Sequence, residues 1–390
     1  MKQVLLLWTA LLLLACNNPM PTPDDTRQKQ DTTHQPQDTT HQPQDTTHQP
    51  QDTTHQTQEA LLPIRGADLS WITEQEQMGV LFYDSLAQPQ EVMSLLKSYG
   101  MTAVRLRAWV NHSTGWCNLP DVLVKAKRAA ELGLNVMIDF HYSDYFADPS
   151  KQTKPTAWKN CKFDALRDSL VAHTTTVLTA LKAEGVTPAW VQIGNETRNG
   201  MLWPTAQLWN SQGDLPDGWK NYAALTTAGY DATKAIFPEA IVVVHIDNAY
   251  ENNNWFFRKL KANGGKFDAI GLSHYPMMQA WSGKSWSEMN KLALNNIKLL
   301  HGEFNCPIML SEIGTLSANA QVPTAVKVIA DLRAKLDTLP YYDGAFYWEP
   351  TAYNNWKPAE YTKDGWGAYN MGAFTSNGQP NQALIQLWQH

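Results

Sequence analysis

The chain has 390 residues, of which 43% are hydrophobic, so it is long enough for one large domain or two ordinary ones with a substantial core. Its 31 Lys and Arg residues against 37 Asp and Glu residues give a formal charge of -6 without a basic stripe, which excludes nucleic acid as the expected partner. The high aromatic content, with 16 Trp, 14 Tyr and 11 Phe, favours flat amphipathic ligands such as sugar rings, although ordinary core packing accounts for part of it.

Residues 1–15 have the pattern of a secretory signal peptide. Lys2 precedes an apolar stretch over residues 4–14 that is too short to span a bilayer as a mature helix, and the segment closes on Leu-Leu-Ala-Cys at Cys16. This ending resembles a bacterial lipoprotein box, in which cleavage makes Cys16 the lipidated first residue. The alternative is an ordinary signal peptide with an incidental cysteine. We expect acyl chains on Cys16 to anchor the protein in the bacterial cell envelope, at the surface of the outer membrane.

Residues 16–60 are predicted to form a disordered linker behind this anchor. Within it, residues 31–58 repeat one heptad four times, as DTTHQPQ in three copies and DTTHQTQ in the last. A period of seven suggests a coiled coil, but the repeats contain no apolar residue for the seam of such a structure. Polar composition and regularly placed prolines instead predict an extended stalk. The four repeat histidines offer weak metal binding as an alternative, and a solvated linker is the preferred interpretation.

Residues 61–390 alternate apolar strand-like runs with amphipathic helix-like stretches. The predicted strands are 64–71, 103–110, 135–142, 189–196, 241–248, 267–275, 307–313 and 344–349. Between them, apolar residues recur at spacings of three and four, as in LPDVLVKAKRAAELG and TAVKVIADLRAKL. Buried strands alternating with helices indicate a parallel sheet, and this arrangement predicts a single α/β catalytic domain with a TIM (β/α)8 barrel. A doubly wound open sheet is the competing fold, but no Gly-rich phosphate loop follows any strand.

Catalytic groups of such barrels project from the C-terminal ends of the strands. Polar and aromatic residues gather at those ends here, namely Asp68, Trp71, Arg105, Arg107, Trp109, Asp139, His141, Asp144, Asn195, Glu196, His245, Asp247, His274, Tyr275, Glu312, Trp348 and Glu349. One such Asp or Arg alone is more often part of a structural ion pair than a catalyst. Their recurrence at the ends of consecutive strands favours a functional site.

Two glutamates stand out, Glu196 after VQIGN and Glu312 after IMLS. Hydrolysis of a glycosidic bond needs two flanking carboxyl groups, one protonated to assist the leaving oxygen and one ionised to attack the anomeric carbon or activate water. One of the two must therefore have a raised pKa. Asn195 is a candidate for holding a sugar 2-hydroxyl through its amide. Arg105 and Arg107 share strand parity, which predicts that both point into the barrel and keep a glutamate ionised.

Seven segments carry a pattern more specific than that of a generic barrel. They are GADLSW (66–71), VRLRAWVN (104–111), DFHYSDYFADPSKQTKPTAW (139–158), VQIGNETRNGMLWP (191–204), SHYP (273–276), SEIG (311–314) and FYWEP (346–350). Together they resemble glycoside hydrolase family 53, the arabinogalactan endo-β-1,4-galactanases, over residues 62–388. The resemblance implies a retaining mechanism in which Glu196 is the acid/base and Glu312 is the nucleophile.

The resemblance also implies which residues surround the cleaved sugar. Arg107, His141, Asn195, Tyr275 and Trp348 match motif positions of the family or its clan, and Asp68 and His274 complete the set of candidate substrate-binding residues. Trp348 is expected to form a floor on which the ring stacks. SHYP stands where YYP is expected, so His274 is a departure from the pattern that puts the details of this subsite in doubt.

The predicted function is therefore a surface-anchored, endo-acting β-1,4-galactanase that cleaves galactan and arabinogalactan side chains of pectin with retention. Two alternatives stay open: another retaining TIM-barrel endo-β-glycanase acting on mannan or xylan, and a non-catalytic glycan-binding lipoprotein. The presence of both carboxylates speaks against the second. The expected partners are β-1,4-galactan and, through the lipid anchor only, the membrane, and the protein is expected to be a monomer.

The remaining cysteines are Cys117, Cys161 and Cys306, an odd number that leaves at least one unpaired. Cys117 and Cys161 are the predicted disulfide because both fall in loops after neighbouring strands. No CxxC spacing suggests zinc, and no cofactor is expected. Some relatives carry calcium in the loop after the nucleophile, but GTLSANAQVPTA has no acidic residue there, so no metal site is predicted. The run DNAYENNN (247–254) offers oxygen ligands, and a solvated loop is its preferred interpretation.

Overall fold

The computed structural model describes residues 63–278, 282–316, 319–353, 356–358, 361 and 371–389. The predicted signal peptide, the lipidation site at Cys16 and the heptad-containing linker all lie outside the described residues. Within the described ranges, no helix has both the length and the apolar composition needed to cross a bilayer.

Eight parallel strands close into a barrel in the described part of the chain. They are β1 (Ile64–Asp68), β2 (Ala103–Ala108), β3 (Asn135–Phe140), β4 (Trp190–Ile193), β5 (Ile241–Ile246), β6 (Ala269–His274), β7 (Ile308–Ile313) and β8 (Tyr342–Tyr347). Each strand pairs with its neighbour in chain order, and β8 closes on β1. The predicted TIM barrel is confirmed. Most strands end before their predicted C-terminus, because the polar residues there leave the hydrogen-bonded ladder to form loops.

Closure of the barrel requires a glycine where β8 meets β1. Gly344 pairs with Ile64 and has a φ of +114°, a conformation that a residue with a side chain rarely adopts. A Cβ atom at this position would lie 2.1 Å from the Ile64 carbonyl oxygen. The two strands can therefore approach to pairing distance only because residue 344 has no side chain.

Nine α-helices in the described ranges follow or flank the strands. They are α1 (Ile72–Gln77), α2 (Val92–Ser98), α3 (Leu119–Glu131), α4 (Phe163–Ala183), α5 (Gly218–Ile236), α6 (Asn254–Ala262), α7 (Trp286–Phe304), α8 (Val322–Leu336) and α9 (Gln382–Trp388). Helices α3 and α8 confirm the stretches predicted from apolar spacing. Helix α8 buries residues at spacings of three and four, namely Ala325, Val328, Ile329, Leu332 and Leu336. This face packs on the outside of the barrel.

The interior of the barrel is plugged by apolar side chains near the N-terminal ends of the strands. Every strand contributes one residue to this plug, which consists of Ile64, Ala103, Met137, Trp190, Val243, Ala269, Met309 and Phe346. Such a layer leaves no room for a ligand in the lower barrel. Any site inside the barrel must therefore open at the opposite end, where the polar residues of the sequence collect.

Candidate active site

A pocket opens at the C-terminal ends of the barrel strands. Its lining consists of His141, Phe146, Ala147, Asp148, Pro149, Asn195, Glu196, Asp247, Asn248, Ser273, Tyr275, Met278, Glu312, Trp348 and Met371. The structure thus brings together both predicted catalytic glutamates and four of the predicted substrate contacts, His141, Asn195, Tyr275 and Trp348. The mixture of carboxylates, aromatic rings and amides suits a ligand with many hydroxyl groups and apolar ring faces.

Glu312, on β7, receives a cation and a hydroxyl donor. Its Oε1 lies 3.0 Å from Arg105 Nη2, and the hydroxyl of Tyr275 donates to its Oε2 at 2.6 Å. Arg105 is 1% exposed and also pairs with Asp68 at 2.9 Å and Asp139 at 2.8 Å, so its position is held from several sides. The prediction that Arg105 points into the barrel and keeps a glutamate ionised agrees with this geometry.

Glu196 follows β4 in a backbone conformation that is uncommon for a residue with a side chain. Its φ of 47° and ψ of 51° lie in the left-handed region. The loop is held from the β5 side, because Thr197 Oγ1 donates to the His245 carbonyl at 3.0 Å and Arg198 pairs with Asp247. The conformation turns the Glu196 carboxyl into the pocket, where Oε1 lies 2.6 Å from Ser273 Oγ.

The two glutamates differ in their electrostatic surroundings. Burial raises the pKa of Glu196 well above its ordinary value, and the negative charges of Glu312 and Asp247 raise it further. Burial also raises the pKa of Glu312, but Arg105 and the hydroxyl of Tyr275 oppose this rise. A single proton shared by the pair therefore resides on Glu196. Two carboxyl groups of unequal proton affinity in one pocket suit the cleavage of a glycosidic bond, which needs one protonated and one ionised carboxyl group.

Asn195 and His141 are held in fixed orientations at the pocket wall. Asn195 accepts from Arg105 Nη2 at 2.7 Å and donates to the Ala147 carbonyl at 2.8 Å. The backbone N–H of Ala147 approaches His141 Nδ1 at 3.0 Å, so that atom accepts and Nε2 donates to Asp139 at 2.9 Å. Burial lowers the pKa of His141, which keeps the ring neutral.

Trp348 and Tyr275 form an aromatic corner of the pocket. Their ring centroids are 6.1 Å apart with planes at 79°, and Trp348 is 7% exposed. The flat apolar face of Trp348 lies beside Tyr275, whose hydroxyl contacts Glu312. This arrangement suits a sugar ring positioned over the Glu312 carboxylate. This position is compatible with the predicted stacking role of Trp348.

Tyr275→Phe is expected to reduce kcat/KM about 10- to 100-fold, because a hydrogen bond to a charged group contributes about 1.5–3 kcal/mol. The control is Tyr142→Phe, which removes a buried hydroxyl whose partner is Thr174, at 2.8 Å and outside the pocket. Steady-state kinetics of the two variants on galactan test this. Equal activities in the two variants would show that the hydroxyl of Tyr275 has no role at Glu312.

Arg107, which is predicted to contact the substrate, does not line the pocket among the described residues. The Arg107 Cζ atom lies 4.7 Å from the ring centroid of Trp71, 4.7 Å from that of Trp109 and 4.3 Å from that of Phe146. Its Nη1 donates to Glu349 at 2.8 Å. Strand parity correctly placed this side chain inside the barrel, but the aromatic rings and the Glu349 charge turn it away from the two glutamates.

Breaking the Arg107–Glu349 pair is expected to destabilise the fold. Both side chains are at most 1% exposed, and Glu349→Gln should lower the free energy of unfolding by about 3 kcal/mol because it leaves a buried guanidinium without its carboxylate. The control is Glu184→Gln, which breaks a pair with Lys127 whose side chains are 42% and 45% exposed and should have little effect. Urea unfolding measures both. A loss no larger than in the control would contradict the prediction.

Asp68 is buried behind Arg105 and does not line the pocket either. Its Oδ2 accepts from Arg105 Nη1 at 2.9 Å and its Oδ1 from the Ser70 backbone N–H at 3.0 Å. The carboxylate is therefore engaged in positioning the arginine that contacts Glu312. Its contact with the substrate stays a prediction.

His274, which is also predicted to contact the substrate, points away from the pocket toward α7. Its Nε2 lies 2.8 Å from Oδ1 of Asn290 on α7, and burial lowers the pKa of His274 to about 4. Alternation along β6 explains this, because Ser273 points into the barrel and its neighbour must then point outward. The departure from YYP thus changes the packing between barrel and helix rather than the pocket.

Cys117 and Cys161 are thiols in the structure and not the predicted disulfide. The sulfur of Cys117 is fully buried, 3.7 Å from the Ser70 carbonyl oxygen and 4.0 Å from Lys125 Nζ. Cys161 lies at the partly exposed end of the segment that follows a 3-10 turn over Thr156–Trp158. Proximity of the two loops along the chain did not bring the sulfurs together because one of them points into the interior.

The described residues contain no group of three or more His, Cys, Asp or Glu side chains that could hold a metal ion. The run at 247–254 is not a solvated loop throughout, contrary to the preferred interpretation. Asn253 and Asn254 are buried, and their side-chain amides donate to the carbonyls of Asn248 at 3.1 Å and Leu299 at 3.2 Å. These amides join the loop to itself and to α7.

The sequence analysis did not identify Ser273 as a site residue, and it named His245 without assigning it a role. Both are buried residues next to the glutamates: Ser273 Oγ contacts Glu196, and His245 Nε2 lies 2.9 Å from that same Oγ. The available signal was strand parity within SHYP, which separates the inward Ser273 from the outward His274. Asp148, also on the pocket wall, lies in the loop after β3 and was not singled out, whereas Asp247, just after β5, was named among the strand-end residues.

Comparison with known proteins gives consistent matches. The model of Glycosyl hydrolase family 53 matches residues 64–387. A Niallia circulans protein described as "Uncharacterized protein in bgaB 5'region" is 31% identical over 354 residues, 83% of this chain and 93% of that protein. The arabinogalactan endo-beta-1,4-galactanase of Thermothelomyces thermophilus is 30% identical over 316 residues, 75% of this chain and 91% of that enzyme. A solved structure from work on two fungal beta-1,4-galactanases superposes with a TM-score of 0.71 at 28% identity, covering 85% of this chain and 100% of the other.

Proposed function

This chain belongs to glycosyl hydrolase family 53, and on that premise we propose that it is a retaining endo-β-1,4-galactanase that hydrolyses the galactan and arabinogalactan side chains of pectin. The observation that carries the proposal is the pair Glu196 and Glu312, which line one pocket with unequal proton affinities. The catalytic assignment is Glu196 as acid/base and Glu312 as nucleophile. No cofactor takes part in this chemistry.

The first step transfers the glycosyl group to the enzyme. A carboxylate oxygen of Glu312 attacks the anomeric carbon, the bond to the leaving oxygen breaks, and Glu196 delivers its proton to that oxygen. Arg105 and the hydroxyl of Tyr275 hold Glu312 ionised and oriented before the attack. The geometry thereby prepares the nucleophile without a separate base.

The second step releases the product with retention. Once Glu312 is esterified it loses its charge, and the electrostatic contribution that raised the pKa of Glu196 disappears. Glu196 is then ionised more readily and acts as the base. It removes a proton from water, and the water attacks the anomeric carbon and frees Glu312. The loss of one charge thus switches the same residue from acid to base.

Substrate positioning is assigned to residues of the pocket wall. Trp348 offers a stacking surface, and the Asn195 amide, fixed by Arg105 and Ala147, stands beside Glu196 where a sugar 2-hydroxyl would lie. His141 is held neutral at the same wall. These contacts orient the ring over Glu312, and precise orientation supplies much of the rate in reactions of this kind.

Incubation with linear β-1,4-galactan, mannan and xylan tests the function and its alternatives. We expect internal cleavage of galactan only, with products that carry the β configuration when first released, as followed by NMR. Products from mannan or xylan alone would favour the alternative endo-β-glycanase. Binding of galactan without any cleavage would favour a glycan-binding lipoprotein instead.

For its location, we propose that the protein is attached to the bacterial outer membrane through lipidated Cys16 and that the heptad-containing linker holds the catalytic domain away from the surface. The support is the signal-like N-terminus ending at Cys16 and the polar, proline-containing repeats. Labelling of cells with a radioactive fatty acid should mark the wild-type protein and not Cys16→Ala, and external protease should remove the domain from intact cells. The isolated domain is expected to sediment as a monomer.

A further inference from the structure

The hydroxyl of Ser273 lies between two groups that compete for its proton. Its Oγ is 2.6 Å from Glu196 Oε1 and 2.9 Å from His245 Nε2. All three side chains are at the C-terminal ends of neighbouring strands or directly after them. A hydroxyl has one proton to donate, so it cannot donate to both partners at once.

The protonation state of His245 follows from Asn195. The Asn195 Oδ1 atom is identified as the carbonyl because it accepts from Arg105 Nη2 at 2.7 Å, while Nδ2 donates to the Ala147 carbonyl. His245 Nδ1 lies 3.0 Å from this oxygen and must donate to it. The backbone N–H of Glu196 also points at Nδ1, where it would need an acceptor, but at 3.4 Å, and the shorter contact with Oδ1 decides in favour of a proton on Nδ1. A neutral His245 with its proton on Nδ1 therefore presents a lone pair at Nε2.

We propose that the Ser273 hydroxyl is a rotating switch that donates to His245 while Glu196 is protonated and to Glu196 while Glu196 is ionised. In the first state, Glu196 donates its own proton to Ser273 Oγ and Ser273 donates to Nε2. In the second state, the hydroxyl rotates and donates to the carboxylate, leaving Nε2 without a donor. No proton leaves His245 or Ser273 in either state. His245 is thus a positioning residue that acts on Glu196 only through Ser273.

Charged groups face the switch from several elements of the barrel. Glu196 faces Glu312, Asp247 and Asp148, and His245 faces Arg105, Asp139 and His141. Burial and the positive charge of Arg105 lower the pKa of His245 well below its ordinary value, so the ring stays neutral. The switch therefore responds to the proton on Glu196 and not to titration of the histidine.

The switch deepens the proposed function and rests on it for its catalytic meaning. While Glu196 is the acid, the Ser273 hydroxyl donates a hydrogen bond to His245. Its oxygen accepts from the protonated carboxyl of Glu196 and stabilises it. After Glu196 has given up its proton, the same hydroxyl stabilises the carboxylate that will act on water. One side chain thereby supports both halves of the double displacement.

The test is a double-mutant cycle on the pKa of Glu196. His245→Phe removes the competing acceptor but keeps a buried ring, so Ser273 donates to Glu196 without competition and the pKa of Glu196 should fall by about one unit. In the Ser273→Ala background, the same change should leave the pKa of Glu196 unmoved. His245→Gln, whose amide oxygen can accept from Ser273, should restore the wild-type value. Should His245→Phe not fold, His245→Leu carries the same prediction.

The pKa is read directly by carbon NMR titration of protein labelled at the glutamate carboxyls, with the Glu196 resonance assigned by its loss in Glu196→Gln. The matched background control is Ser311→Ala, since the hydroxyl of Ser311 is buried on β7 and has no hydrogen-bond partner among the described residues. There the effect of His245→Phe should persist. An absent shift, or one that is equally large with Ser273→Ala, overturns the switch. Because the titration needs no substrate, failure of galactan cleavage would overturn the proposed function alone.

Discussion

Replacing Glu312 with alanine is expected to lower kcat/KM for galactan by about 10⁴-fold or more, because the covalent intermediate can no longer form. Among the described residues, no other carboxylate contacts both Arg105 and Tyr275. The deletion opens space where an external anion can enter. Azide should therefore restore cleavage of a galactobioside with a dinitrophenyl leaving group. The product should be galactobiose with azide in the α configuration at its anomeric carbon, an α-galactosyl azide, identified by NMR.

The stereochemistry of that azide decides the assignment. A nucleophile on one face of the sugar is replaced by azide on the same face, so a single displacement inverts the β configuration of the substrate. The β-galactosyl azide from this variant, or full activity on galactan, would contradict the role of Glu312. Glu184→Ala, at an exposed carboxylate, is the control and should respond to azide no more than the wild type.

Replacing Glu196 with alanine is expected to lower kcat/KM for galactan by about 10²- to 10⁴-fold, the usual contribution of a general acid. The dinitrophenyl galactobioside needs no proton on its leaving group, so its bond should still break and the glycosyl-enzyme should accumulate. Azide attacks that intermediate from the face opposite Glu312 and should give the β-galactosyl azide. Opposite azide anomers from the two variants would separate the two roles in one experiment.

The pH dependence of the Glu196 variant is an independent check. In the wild type, kcat/KM should fall as pH rises through the raised pKa of Glu196, because the acid loses its proton. Glu196→Ala should lack this alkaline limb while keeping the acidic limb at which Glu312 becomes protonated. An unchanged alkaline limb would assign that ionisation to another group, and Glu196 would then not be the acid.

The electrostatic logic of the site depends on one arginine. Arg105 contacts Asp68, Asp139 and Glu312, so it connects the structural carboxylates of β1 and β3 with the pocket carboxylate of β7. Its burial makes each of these contacts strong, and the neighbouring negative charges keep it from neutralising Glu312 completely. This balance opposes the protonation of Glu312 that burial favours and leaves its carboxyl available for attack.

Strand positions in the barrel could be predicted because their signal is local. Each apolar run is short, bounded by polar residues and followed by a helical period, and the end of a parallel strand in a barrel has a fixed place relative to the pocket. Glu196 and Glu312 could be named for the same reason, since β4 and β7 end immediately beside them. Helix ends and loop paths did not matter for that inference.

Side-chain directions at the strand ends could not be predicted from the same pattern. Arg107 meets Glu349 across 242 positions of the chain, and Ser273 meets Glu196 across 77. For His274 and Arg107, the choice between pocket and packing depends on which distant partner is in reach. Cys117 is a further case, because its sulfur is directed toward Ser70 and Lys125 rather than toward Cys161.

The amino-acid sequence by itself determined that this protein is a barrel with two glutamates at its open end, because strand length, helical period and residue order are properties of neighbouring positions. Only the tertiary structure decided which carboxyl holds the proton and which residues support it. Those outcomes depend on burial and on charges within a few ångströms, such as Arg105 at 3.0 Å from Glu312. Contacts of that kind exist only after distant strands have closed around a common interior.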